Sequence, residues 1–219
     1  MIFVILMAIE LLALYFYQVG FTFSELILLI AFPLFSYSST LAMRPELMNI
    51  AIMEIHNKVI GFHIIGVGMP LIVSVKILVQ KRLPLGETAL ITGIVAIVAS
   101  LYTHFDPEIG IIVRFFAIPP MLAAAIAFVL RRDPRIHKYN TALMTYVCGT
   151  LGMLIGADLF HFHQILLWIP NEPVFVSIGG AGLTDAIFLS GIIAILFDLI
   201  FTCQICNVLR DYLKFIKSG

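Results

Sequence analysis

A handful of ionisable side chains stand inside stretches that are otherwise apolar: Glu10, Arg114, Asp158, Asp185 and Asp198, with His63, His161 and His163 near the ends of such stretches. An ionisable group in hydrocarbon costs a few kcal/mol, so each marks a place where chemistry, ion passage or a specific pairing is expected. Asp158 lies seventeen residues into the apolar run 141–163, about 25 Å along a helix. Asp185 lies just past the start of the next run, 182–207, which travels back. Two antiparallel helices with a short connection bring these carboxylates to a similar depth. Two acids that meet cannot both ionise comfortably and share one proton; a water between them can lose a proton to one while the other protonates a carbonyl oxygen. That is the chemistry of acid-pair peptide hydrolysis.

The segment before the second acid reads SIGGAGLTD, where Gly179, Gly180 and Gly182 remove side chains and permit an opened backbone or the close approach of an extended peptide. These glycines and Thr184 are the expected binding segment, with Asp158 and Asp185 catalytic. Gly149, Gly152 and Gly156 recur at three- and four-residue spacing and suit close helix packing. Other chemistries stay open. Asp158, His161 and Asp185 could hold a divalent cation, Asp158 and His161 sharing a helix face at i, i+3. The same acids could carry protons or cations in a transporter or channel, or the chain could be a scaffold with no reaction. Asp198 lies about 20 Å beyond Asp185 along a helix and is expected outside the pair, on a proton path or in a water pocket. His63 reads as a packing histidine, Arg114 as a snorkelling cation inside the fifth span, and Pro119 with Pro120 as a kink there. Cys203 and Cys206 have CxxC spacing without a surrounding βαβ pattern and read as small apolar residues. No phosphate loop or dinucleotide fingerprint is present, and no cofactor is called for.

The stretch GMLIGADLFHF resembles the presenilin and signal peptide peptidase helix that carries a Tyr-Asp catalytic motif, and GLTDAIFLSGIIA resembles their Gly-x-Gly-Asp helix. The resemblance makes Asp158 and Asp185 the catalytic aspartates and Gly182 the first glycine of the second motif; Ala157 stands in place of the tyrosine and Thr184 in place of the second glycine. It implies an intramembrane aspartyl protease acting on a membrane-embedded peptide or protein. From about Val59 onward the chain also resembles a family of archaeal and bacterial multi-pass proteins of unknown function, through PEIGIIVRFFAIPPMLAAAIAFVL, GTLGMLIGADLFHF and SIGGAGLTDAIFLSGIIA. That resemblance implies a prokaryotic plasma membrane.

The elements that must position these residues emerge from composition. Of 219 residues, 61% are apolar and 12% charged, and the mean hydropathy is +1.08, which excludes an ordinary soluble domain. Thirteen basic residues balance thirteen acidic ones, which argues against nucleic acid as a partner. Apolar runs at 2–19, 24–43, 59–80, 87–104, 109–130, 141–163 and 182–207 predict an all-α bundle of about seven transmembrane helices, a single domain over 1–219. Between the second and third runs, 44–58 predicts an interfacial amphipathic helix. Nine basic residues fall after the third and fifth runs and in the tail, with Lys76 one turn back in the third run, which predicts the C-terminus in the cytoplasm and, with seven spans, the N-terminus outside.

Overall fold

The computed structural model describes residues 2–34, 48–81, 83–107, 110–134, 136 and 139–201. Among them are seven helices: α1 (Ile2–Gln18), α2 (Phe23–Leu34), α3 (Ile64–Gln80), α4 (Leu85–Leu101), α5 (Ile118–Leu130), α6 (Thr141–Leu167) and α7 (Ala186–Phe201). Each coincides largely with one of the apolar runs, so the helical part of the sequence reading holds. The length does not. Among the described residues only α6 is long and apolar enough to cross a membrane by itself.

The missing length has gone into strands, and the fold is mostly helical rather than all-α. β1 (Asn49–Ile55) and β2 (Lys58–His63) form an antiparallel hairpin, and β5 (Val174–Ile178) adds parallel to β2 with Lys58 opposite Val174 and Phe62 opposite Ile178. A second hairpin joins β3 (Thr103–Asp106) to β4 (Gly110–Val113). Hydropathy alone reads Val59, Ile60 and Ile111 to Val113 as the start of spans, but β-branched residues also suit a pleated, half-buried strand. The interfacial helix is corrected on the same ground. Asn49–Ile55 is a strand that turns at His56, whose φ is 54°, while 44–47 lie outside the described residues. So do Cys203, Cys206 and the basic tail.

Prolines 119 and 120 occupy the first turn of α5, where the missing N–H groups have no helical acceptor to lose; they start the helix instead of kinking it. Arg114 consequently stands outside any helix, exposed, its N–H donating to the Tyr102 carbonyl at 2.8 Å. Glu10 is on the exposed side of α1.

α6 is the central helix, buried through its first ten residues and packed against α7, α4, α5 and α3. Its small residues make that possible. Gly149 faces Ser190 and Ala194 of α7, Gly152 faces Val95 of α4, and a Cβ on Gly156 would stand 2.1 Å from the Ala96 carbonyl oxygen. The chain order then fixes two ends. Both sheets lie where α4 and α6 finish and α3, α5 and α7 begin, because β2 to β5 each adjoin one of those termini and β1 pairs with β2. At the opposite end, Lys76 of α3 pairs with the fully buried Glu25 of α2 at 3.2 Å and donates to Thr22 and Ser24.

Candidate active site

Asp158 lies in a π-helical turn, Leu154–Leu159, within α6. Such a turn adds a residue to one coil and re-aims the side chains beyond it, a feature that recurs at functional sites. Ala157 beside it packs into a small core with Ala99, Met153 and Ile187, while the Asp158 side chain, 7% exposed, turns to a cavity. Asp185 arrives from the other helix. It is the last residue before α7, and its Oδ1 accepts the Ile187 N–H at 2.9 Å, so it caps that helix; the Ala181 N–H also serves its carboxylate.

The two carboxylates line one cavity of about 420 Å³ and lie near enough for the Asp185 charge to act on Asp158. A volume in that range suits a ligand or a short peptide segment. One wall is β5 in its entirety, continued by Gly179, Gly180 and Ala181. Among the described residues β5 is an edge strand with β2 on one side only, and all five of its residues border the cavity. The β3–β4 hairpin adds Phe105 and Ile111 to the lining, and the end of α6 with the residue after it adds Ile165 and Trp168. Phe105 and Trp168 meet edge to face, ring centres 5.8 Å apart.

The binding segment divides. Gly179 and Gly180 border the cavity; Gly182 and Thr184 do not. Gly182, at φ 61°, lies against the His63 ring, and Thr184 is exposed, its hydroxyl donating to the Ala181 carbonyl at 3.0 Å. Gly179, at φ 72°, sits so close to α3 that a Cβ on Gly66 would stand 2.0 Å from the Gly179 carbonyl oxygen. His63 anchors this corner. Its Nδ1 accepts the N–H groups of Ile65 and Gly66 at 3.2 Å each, capping α3, and burial holds its imidazole below the usual histidine range.

The metal alternative does not assemble: His161 turns its Nδ1 to the Gly156 and Ala157 carbonyls, and among the described residues no three His, Cys, Asp or Glu side chains converge. Asp198 lines a separate cavity at the other end of the bundle. The residue that sequence reasoning misses is Lys58. The last residue of the predicted interfacial helix 44–58, it is 1% exposed, and its Nζ donates to the carbonyls of Ile165 at 2.5 Å, Leu166 at 2.9 Å and Trp168. It thereby caps the end of α6 that lines the cavity.

A family described as "Protein of unknown function (DUF1614)" matches residues 27–197. The chain belongs to that family. The match runs from α2 to the last turns of α7, so the DUF1614 region holds both aspartates, both sheets and Lys58, and stops one residue short of Asp198. No curated protein and no solved structure matches this DUF1614 chain, and nothing in these comparisons links it to the presenilin-type proteases.

Proposed function

We propose that this DUF1614 chain is an intramembrane aspartyl protease-like hydrolase, with Asp158 and Asp185 as its catalytic pair. The observation that carries the reading is the cavity itself: two carboxylates from adjoining helices on one side and the open edge of β5 on another. An open strand edge offers backbone N–H and C=O groups to an extended peptide, and Gly179 and Gly180 leave it room. Asp185, served by two backbone N–H groups, is arranged to hold the negative charge; Asp158, buried on α6 and facing the neighbouring acid, holds the shared proton. Asp185 takes a proton from water as the oxygen bonds to the peptide carbon, while Asp158 protonates the carbonyl oxygen. The proton on Asp185 then passes to the departing nitrogen as the C–N bond breaks, and Asp158 recovers its own from the tetrahedral hydroxyl.

The membrane setting is part of the proposal. α6 is of membrane length, and the outer faces of its neighbours expose Ile72, Val79, Leu90, Ile97, Val129 and Ile200, a surface suited to lipid. With the basic loops inside, the acid cavity faces outward. A proton or cation carrier would use the same acids, but the acid cavity and the Asp198 cavity share no lining residue.

Purified protein in nanodiscs, given fluorogenic transmembrane peptides, tests the assignment. Asp158→Asn and Asp185→Asn should each lower cleavage by about 10³-fold or more. Cleavage that survives both changes rejects it; proton or cation flux lost in both identifies a carrier instead.

A further inference from the structure

The second cavity is a place where the bundle spends polar groups that the acid pair does not use. About 210 Å³ in volume, it lies where α1 ends, α5 ends and α6 begins, with α7 passing behind. Six of its lining residues carry hydrogen-bonding side chains: Gln18, Arg131, Tyr139, Asn140, Thr141 and Asp198. That space admits several waters or one small polar molecule.

Three features describe what fits. The first is opposed charge. Asp198 is 2% exposed and is the one charged residue of α7, while Arg131 stands half-buried at the end of α5 and its charge acts on Asp198. A bare metal ion would meet the guanidinium, and a simple anion would meet the carboxylate. The second is a wall that holds its shape. Asn140 accepts the N–H groups of Ala142 and Leu143 through Oδ1 and donates from Nδ2 to the Val19 carbonyl at 2.5 Å, tying α6 to the end of α1. The third lies behind the wall: Tyr15, 2% exposed and not itself lining the cavity, has a hydroxyl with no hydrogen-bond partner among the described residues, within the fields of both Asp198 and Arg131. The helix ends are ordered to match, since α6 presents the positive end of its dipole here and α1 and α5 present negative ends.

We infer that this cavity binds a small zwitterion, a primary ammonium against Asp198 and an oxyanion against Arg131, the chemistry of an ethanolamine phosphate group. The group could arrive on a lipid or free in solution. The lipid source rests on the proposed membrane setting, whereas the pairing of charges does not.

Thermal unfolding and native mass spectrometry of the full chain in detergent separate the cases, with added phosphatidylethanolamine, phosphatidylcholine, phosphatidylglycerol or soluble ethanolamine phosphate. Phosphatidylethanolamine should raise the midpoint by about 3–5 °C more than phosphatidylcholine, which lacks ammonium N–H groups, or phosphatidylglycerol, which lacks the cation. Asp198→Asn and Arg131→Gln should each weaken that preference about tenfold. Should Asp198→Asn fail to fold, Arg131→Gln on its half-buried side chain carries the test. Asp158→Asn, in the other cavity, should abolish proteolysis and leave the preference unchanged, so the two readings fail separately. Binding of soluble ethanolamine phosphate alone, lost with Arg131→Gln, supports the site and assigns it a soluble ligand. Equal response to all three lipids with none to the soluble compound, or a preference that survives Arg131→Gln, overturns it.

Discussion

Lys58 shows how far a single residue's role can lie from its type. Its ammonium satisfies three carbonyls at the end of α6, in a place water does not reach, and an unsatisfied buried carbonyl costs about 1–3 kcal/mol. Lys58→Met keeps the stem and removes the donors, so it should destabilise the fold by about 2–4 kcal/mol. Trp168, the one tryptophan of the chain, adjoins the cap and reports the change by its fluorescence during urea unfolding. An unchanged midpoint would show that the carbonyls find other partners. The two aspartates were legible in the sequence, because a helix's rise per residue converts position into depth and the rarity of charge in apolar runs draws attention to misplaced acids. Lys58 was not legible. Its partners lie more than a hundred residues away, and backbone carbonyls leave no mark in a sequence.

At the scale of elements, hydropathy located every helix core and misjudged most helix ends. The runs 59–80 and 109–130 each begin with a strand, because apolar β-branched residues satisfy a span criterion and a sheet equally well. The sheet that walls the candidate site thus went unread; its parallel β2–β5 pairing joins segments separated by four helices. His63 is where sheet becomes helix, and its cap works only while Nδ1 is unprotonated. With its folded pKa below the ordinary 6.5, the unfolded chain binds the proton more readily. Its stabilising contribution is therefore complete above pH 6.5 and is lost as pH falls through the folded value. The midpoint of thermal unfolding should decline on that acid side, and His63→Asn, which retains a capping acceptor, should remove this part of the decline. A decline identical in His63→Asn would place its origin in other groups.

For the whole molecule in the proposed membrane setting, the lengths of the helices set a relation to the bilayer. α4, α7 and α5 have 17, 16 and 13 residues, about 25, 24 and 20 Å at the rise of an α-helix, against a hydrocarbon core of about 30 Å. The 27 residues of α6 extend about 40 Å, but that helix is enclosed by the others and its far end lies among the strands. In that setting lipid would meet the shorter helices, and the strands at one end of them would tolerate hydrocarbon only where they face protein or a water-filled cavity. A bundle so built should thin the bilayer around it, at a cost of fractions of a kcal/mol for each ångström of mismatch. In the proposed membrane setting, thinning on the outer side would also bring water to the acid cavity, which the hydrolysis requires. Reconstituted protein should then unfold at a higher temperature in dimyristoyl than in dierucoyl phosphatidylcholine, with proteolysis following the same order. Greater stability in the thicker bilayer would mean that the strand-bearing end lies within the hydrocarbon core and that the helices do not mark its thickness.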